Sequence, residues 1–254
     1  MDRWSNKVAV VTGASSGIGA EIVKDLVRGG MIVVGLARRS EKIEELKKDL
    51  PNDRRKNLHS MQCDVTKEEE IVATFAKINE KFGGVDVLIN NAGMAFMDLK
   101  LTDPGNSVAF NDTMQTNVFG LINCTREAIG IMKKRKIHGH VININSILGH
   151  NVVFPPPGWE AMNFNVYAAS KFGVTALTEI LRQEMSKDEL PIKISSISPD
   201  VVQTNLTEMF SKQNLAKTPH LLSSDISQAV VYVLSTPPHV NVQDVLLRPL
   251  GCRY

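Results

Sequence analysis

Near the N-terminus a short β-branched run, Lys7–Val11, passes through Thr12-Gly13-Ala14-Ser15-Ser16-Gly17-Ile18-Gly19 into a helical pattern. That pattern is carried by Ile22, Val23, Leu26 and Val27 and stops at Gly29-Gly30. No other feature narrows the fold as far. The apolar run is of the kind buried in parallel sheets. Glycines let the backbone turn sharply and approach a pyrophosphate, and the helix N-terminus beyond offers unpaired N–H groups at the positive end of its dipole. A Gly-rich turn alone says little, but a strand before it and a helix after it supply the context that a dinucleotide site needs. Gly13, Ser15, Ser16, Gly17, Ile18 and Gly19 are therefore candidate cofactor contacts.

The alternation continues. A second strand, Met31–Leu36, ends in Ala37-Arg38-Arg39-Ser40; a third ends at Met61-Gln62-Cys63; a fourth spans Val85–Ile89. A long helical segment near Ser107–Arg135 precedes a fifth strand, His140–Asn145. No Pro/Ser/Gly-rich linker divides these elements, so the 254 residues are expected to form one α/β domain, 1–254. An NAD-binding chain usually carries an acid about 20 residues beyond the glycines, to hold the ribose hydroxyls. Here Arg38 and Arg39 occupy that region. Guanidinium suits a 2′-phosphate, and no carboxylate is present to repel it, so NADP (NADP+/NADPH) is favoured over NAD. The alternative makes both arginines solvated charges in a loop.

Tyr167 and Lys171 stand four apart in a predicted helix, about 40° apart around its axis, and so share a face. A free phenol titrates near ~10, a poor acid–base group at neutral pH, and a neighbouring ammonium is expected to bring that value down. The same spacing also occurs by chance on amphipathic helices as a surface pair. Ser146 follows the fifth strand, where ligands bind in open α/β sheets. It is placed to hold a substrate oxygen. No Gly-x-Ser-x-Gly turn surrounds it, and no His–Asp pair is evident, so nucleophilic attack is not its expected role.

The order Gly-rich turn, Asn90-Asn91-Ala92-Gly93, Asn117, Ser146, Tyr167-Ala168-Ala169-Ser170-Lys171, Ser198-Pro199 resembles the short-chain dehydrogenase/reductase family from about Lys7 to the C-terminus. Met1-Asp2-Arg3-Trp4 and Asp244-Val245-Leu246-Leu247-Arg248-Pro249 add a finer likeness. They are similar to the insect NADP-dependent farnesol dehydrogenases and to vertebrate relatives acting on steroid or retinoid-type carbonyls. The resemblance implies a Rossmann-like three-layer α/β/α sandwich with a mainly parallel seven-stranded sheet. It implies a catalytic set of Asn117, Ser146, Tyr167 and Lys171, with Asn117 holding a water through its backbone carbonyl. Asn117 can equally be a polar residue tucked against the sheet. Asp64 would meet the adenine with Val65 beside it, although Asp64 can also cap the helix beginning near Lys67. Asn91, Ala92 and Gly93 would bring backbone to the adenine ribose, and Tyr167, Lys171, Pro199, Val202 and Thr204 would complete the cofactor contacts. The expected activity is NADP(H)-dependent interconversion of a lipophilic alcohol and its aldehyde or ketone, by a homodimer or homotetramer. A catalytically silent NADP(H)-binding regulator or scaffold remains the alternative.

Two departures stand out. Ser146 and Tyr167 are 21 positions apart, several more than most of the family, and the extra chain includes Phe154-Pro155-Pro156-Pro157-Gly158-Trp159. It is either a proline-stiffened surface excursion or a pocket wall. A second candidate wall spans Leu206–Leu222 with Met209 and Phe210, so Phe154, Trp159, Met209 and Phe210 join Ser146 and Tyr167 as candidate substrate contacts. Asp200 follows Ser198-Pro199 where the family usually has glycine, which would set a carboxylate near the nicotinamide. The bulk numbers exclude little more. A net charge of +2 exerts no global pull toward nucleic acid or membrane. Lys133-Lys134-Arg135-Lys136 reads as a solvated helix end favoured by the macrodipole, with a nuclear signal as the alternative. No stretch approaches the ~20 apolar residues of a membrane span. Cys63, Cys124 and Cys252 lack metal spacing and, with no signal peptide evident, read as reduced thiols in a cytoplasmic chain whose three glycosylation sequons go unused.

Overall fold

In a computed structural model of the chain, which describes residues 1–155, 159–208 and 212–252, the opening apolar run forms strand β1 (Val8–Thr12), buried along its whole length. It is followed by β2 (Ile32–Ala37), β3 (Leu58–Gln62), β4 (Val87–Asn90), β5 (His140–Ile144) and β6 (Lys193–Pro199). A small pair, β7 (Val202–Gln203) and β8 (Leu221–Leu222), stands apart, and β9 (Asp244–Leu247) closes the main sheet. The sheet runs β3-β2-β1-β4-β5-β6-β9 with every pair parallel. Strand order grows outward from β1 one way and from β4 the other. That reversal opens a crevice beyond the carboxyl ends of the strands.

The helices are α1 (Gly17–Arg28), α2 (Ser40–Glu45), α3 (Glu68–Phe82), α4 (Ser107–Met114), α5 (Gly120–Arg135), α6 (Asn165–Lys187), α7 (Asn205–Glu208), α8 (Lys212–Leu215) and α9 (Ser223–Ser235). Successive strand residues face opposite sides, so β1 feeds two cores. Ala9 and Val11 pack with Ile22 and Leu26 of α1 and Val230 and Val233 of α9. Val8 and Val10 pack with Ile71 and Phe75 of α3, Met132 of α5 and Met185 of α6. Fully burying such a side chain is worth roughly 1.5–3 kcal/mol, and this two-sided burial is the main drive for the sandwich. A third, smaller cluster of Ala95, Met97, Ile147, Leu148, Tyr167 and Ala168 sits over the strand ends.

The three-layer, seven-stranded architecture expected from the sequence is present, with local differences. β4 begins at Val87, because Asp86 is occupied at the sheet's lower edge: its carboxylate accepts from Val8 N at 2.8 Å and pairs with Arg135 at 3.2 Å. The long helix is two helices joined by a π-helical turn at Gln115–Phe119, which contains Asn117. Asp64 is not the cap of α3. Its carboxylate accepts from the N–H and hydroxyl of Thr66, and the helix starts four residues on at Glu68. The basic run closes α5, with Lys133 paired to Asp188 and Lys136 left-handed at φ 51°. Among the described residues no helix is long and apolar enough to cross a membrane.

Candidate active site

The Gly-rich turn is held from beneath. Thr12 Oγ1 accepts from the backbone N–H groups of Asn91 and Ala92, both at 3.0 Å, and Asn91 Nδ2 donates back to Thr12 O at 2.9 Å and Gly13 O at 3.2 Å. The turn after β1 and the turn after β4 are thus one unit. Gly13 takes φ +64°, and a Cβ there would stand 2.8 Å from Ala92 Cα; one on Gly19 would meet Asn91 Nδ2 at 2.5 Å. Only glycine fits both positions. Above them lies a cleft of about 280 Å³. Ser15, Ser16, Gly17 and Ile18 line one end, Arg38, Arg39, Asp64 and Val65 the other, and Asn91, Ala92 and Gly93 the side between. Gly19 supports this lining from behind. Both arginines are exposed at the rim, and β2 ends without an acid beside them. A glycine cradle, a helix N-terminus and two exposed guanidinium groups fit a phosphorylated dinucleotide.

The second half of the site depends on how α6 is seated. Asn165 donates to Phe96 O at 2.7 Å and Leu99 O at 2.9 Å, while its Oδ1 accepts from Tyr167 N. Asn143 Nδ2 of β5 reaches Thr178 Oγ1 at 2.9 Å, and Asn145 Nδ2, one residue past the strand, reaches Thr175 Oγ1 at 2.8 Å. Asn90 of β4 bonds Asn143 Oδ1 and Thr125. These side chains rivet α6 to the sheet. Asn143 and Asn145 were missed in the sequence, although two polar residues at period 2 in an otherwise apolar strand are a visible signal. Asn117 is bound to structure by its side chain: Oδ1 accepts from Met94 N at 2.9 Å, and Nδ2 donates to Met94 O and Ser170 Oγ, both at 3.0 Å.

Tyr167 and Lys171 lie buried on one face of α6, and Ser146 follows β5 opposite them. Ser146 Oγ accepts from Leu148 N at 3.2 Å and hydrogen-bonds the Tyr167 hydroxyl. Lys171 Nζ donates to Ile144 O at 3.0 Å and lies 5.6 Å from the centre of the Tyr167 ring. The expectation that this cation lowers the phenol is not met here. Burial pushes Tyr167 up to about 12, with the Ser146 bond pulling the other way, and burial pushes Lys171 down to about 8. Dehydration outweighs an ammonium that is engaged by a backbone carbonyl.

Ser146, Tyr167 and Lys171 form the polar corner of a second cavity of about 180 Å³, which shares Ile18, Asn91, Gly93, Met94, Thr204 and Leu206 with the dinucleotide cleft. Pro199 and Val202 line it, and so does Trp159. Phe154 does not: it is 91% exposed, and Val153 faces inward instead. Neighbouring side chains in extended chain point opposite ways, and composition could not say which was inside. Met209 and Phe210 lie outside the described residues. Met97, Met162 and Phe164 complete the apolar lining and carried no local signal. Asp200 lines the same cavity, where the sequence set a carboxylate near the reacting end of the site. It needs no left-handed backbone, and its carboxylate, 3% exposed, accepts from Val201 N at 2.8 Å and Cys252 Sγ at 3.3 Å, with Arg248 at 3.9 Å. These partners occupy the charge that seemed out of place.

Fold and cleft together define a doubly wound nucleotide-binding protein. The family model described as short chain dehydrogenase matches residues 7–215. The farnesol dehydrogenase of Aedes aegypti is 48% identical over 257 residues, covering all of both chains. Dehydrogenase/reductase SDR family member 11 of Bos taurus is 42% identical, covering 98% of each. Among solved structures, the closed form of serine dehydrogenase complexed with NADP+ superposes with TM-score 0.82 at 29% identity, covering 97% of this chain and 96% of that one. The alcohol dehydrogenase of Thermococcus sibiricus complexed with 5-hydroxy-NADP gives 0.83 at 25% identity, covering 98% of both. The chain belongs to the short-chain dehydrogenase family and is an oxidoreductase of that family.

Proposed function

We propose that this chain interconverts a lipophilic alcohol (terpenoid, retinoid or steroid-like) and its aldehyde or ketone, with NADP(H) as redox partner. The observation that carries this reading is the joining of two cavities: a mainly apolar one, with Ser146, Tyr167 and Lys171 at one corner and Asp200, Thr204 and Thr207 among its few other polar residues, opens beside a dinucleotide cleft bordered by two arginines. A substrate with one oxygen and a hydrocarbon body matches it, since most of a sugar's further hydroxyls would face apolar lining such as Met97, Val153, Trp159 and Phe164. Gly13, Ser15, Ser16, Gly17 and Ile18 hold the pyrophosphate, Arg38 and Arg39 the 2′-phosphate, and Asp64 and Val65 the adenine. Bound NADP supplies the hydride acceptor or, reduced, the donor.

In reduction Tyr167 Oη gives its proton to the carbonyl oxygen that Ser146 fixes; in oxidation the phenol first releases its proton toward solvent along Lys171 and the water on Asn117, and the phenolate then takes the proton of the substrate hydroxyl. Lys171 adds positive charge to the same corner and holds the cofactor ribose. Asn117 acts through its backbone carbonyl on a water, because its side chain is already committed to Met94 and Ser170. Hydroxyl and ammonium are pre-positioned by α6, so the site does not reorganise during the reaction. Val108, Phe119 and Phe172 stay exposed on α4, the π turn and α6, which supports a homodimer or homotetramer built on these helices. Cys63, Cys124 and Cys252, none of them in a disulfide among the described residues, support a cytoplasmic setting.

Turnover of long-chain isoprenoid, steroid and retinoid alcohols with NADP+, and of their carbonyls with NADPH, tests the reading against short alcohols and sugars. Efficiency should rise with apolar size. Equal activity on short polar alcohols would refute the substrate class, and tight NADPH binding without any turnover would favour a silent regulator.

A further inference from the structure

Described residues of two stretches help to line the apolar cavity, among them Val153 and Trp159 between β5 and α6 and Leu206 and Thr207 between β7 and β8. Trp159 stands in the first. It is 4% exposed although it lies in a loop, and it lines the cavity. Its indole Nε1 donates to Thr218 Oγ1 of the second stretch at 2.8 Å, across 59 positions of sequence. Thr218 is buried too, and its hydroxyl donates onward to Asn214 O at 2.9 Å. The threonine's single proton is therefore committed, and its lone pairs are left for the indole. Each stretch is separately tied to the body of the protein: Asn163 N donates to Met97 O at 2.7 Å, and Leu221 N to Val201 O at 2.8 Å. The indole bond adds a direct tie between the two walls.

A tryptophan held by packing alone can turn about its side-chain torsions. One whose N–H has a fixed buried acceptor cannot turn without leaving that donor unpaired. A short alcohol needs only the corner made by Ser146 and Tyr167. A long apolar chain must also lie along the cavity lining, where Trp159 is the largest side chain. We propose that Thr218 is a positioning residue for substrate choice, fixing the Trp159 indole as the wall against which a long apolar substrate lies. This rests on the function proposed above.

The test compares the parent with Thr218→Val, which keeps the shape and removes the acceptor, and Thr218→Ser, which keeps the acceptor. Calorimetric titration of the NADPH-loaded enzyme with a fifteen-carbon isoprenoid alcohol gives affinity. Steady-state kinetics with NADP+ gives kcat and KM for that alcohol and for 1-butanol. Thr218→Val should weaken binding and raise KM for the long alcohol about tenfold, with kcat for both alcohols and KM for butanol within about twofold. Thr218→Ser should behave as the parent, and Trp159→Phe should reproduce the loss on the long alcohol. The proposal is overturned if Thr218→Val binds the long alcohol as the parent does, if both alcohols suffer equally, if serine fails to rescue, or if the parent binds no such alcohol. An enzyme that binds the long alcohol but turns over neither alcohol refutes the proposed function, while the titration still decides the role of Thr218.

Discussion

At the scale of single residues, Tyr167 carries the chemistry and Asp200 the largest surprise. Tyr167→Phe removes one hydroxyl from a buried site and leaves the ring packed with Leu148 and Ala168. Turnover should fall at least a thousandfold, toward the loss expected of an essential general acid–base group. NADPH affinity measured by fluorescence titration should stay within about threefold. Retention of a tenth of parental turnover would remove Tyr167 from the mechanism. Asp200→Gly restores the residue that the family commonly has, and from sequence alone the change looks harmless or favourable to cofactor binding. The structure reverses that expectation for stability, because the carboxylate joins Val201 N, Cys252 and Arg248. Loss of these three interactions at about 1 kcal/mol each should lower Tm by roughly 6–12 °C. An unchanged melting curve would show that the link to the C-terminal segment is idle.

Among the elements, the turn between β2 and α2 should decide which cofactor is used. Ala37, Arg38 and Arg39 all line the dinucleotide cleft. Replacing Ala37 by Asp and Arg38 by Leu puts a carboxylate where a 2′-phosphate would lie and removes one guanidinium. The ratio of kcat/KM for NADP+ over NAD+ should fall about tenfold or more, since a charged hydrogen bond is worth roughly 1.5–3 kcal/mol. An unchanged ratio would mean that Arg38 is only a solvated charge. The turn was legible in the sequence because a strand end, a missing acid and two arginines are all local features. The π turn around Asn117 was not. Helical periodicity runs straight through Ser107–Arg135, and the break answers to the Met94 backbone, 23 positions away.

For the molecule as a whole, acid should unfold the chain through His140. This side chain is fully buried in β5, its Nε2 meets Ser195 Oγ at 2.9 Å, and its Nδ1 finds no partner among the described residues. Burial, reinforced by Lys193 and Arg3, lowers its pKa to about 3. The unfolded histidine takes its proton near its ordinary value of ~6.5, so between the two the unfolded chain binds more protons and stability falls as pH falls. From pH 7 to pH 5 the loss should be about 2 kcal/mol in urea unfolding. His59, also held low by burial and by Lys81, adds to the slope in the same direction. His140→Gln should therefore flatten the dependence without abolishing it. An equally steep slope in that variant would exonerate His140.

The sequence by itself determined the doubly wound sheet, the glycine cradle and the pairing of Tyr167 with Lys171 on one helix face. Each is written in spacings of two to a few residues, and periods of 2 and 3.6 translate directly into which side of a strand or helix is buried. Only the tertiary structure decided that Val153 rather than Phe154 faces the cavity, and that Asp200 turns toward Cys252. It also decided that burial, not the nearby ammonium, governs the Tyr167 phenol, and that Trp159 meets Thr218. Those outcomes depend on contacts between segments about fifty residues apart or on how much water the packed site excludes. Neither quantity has a local signature, because both come into being only when the chain has closed on itself.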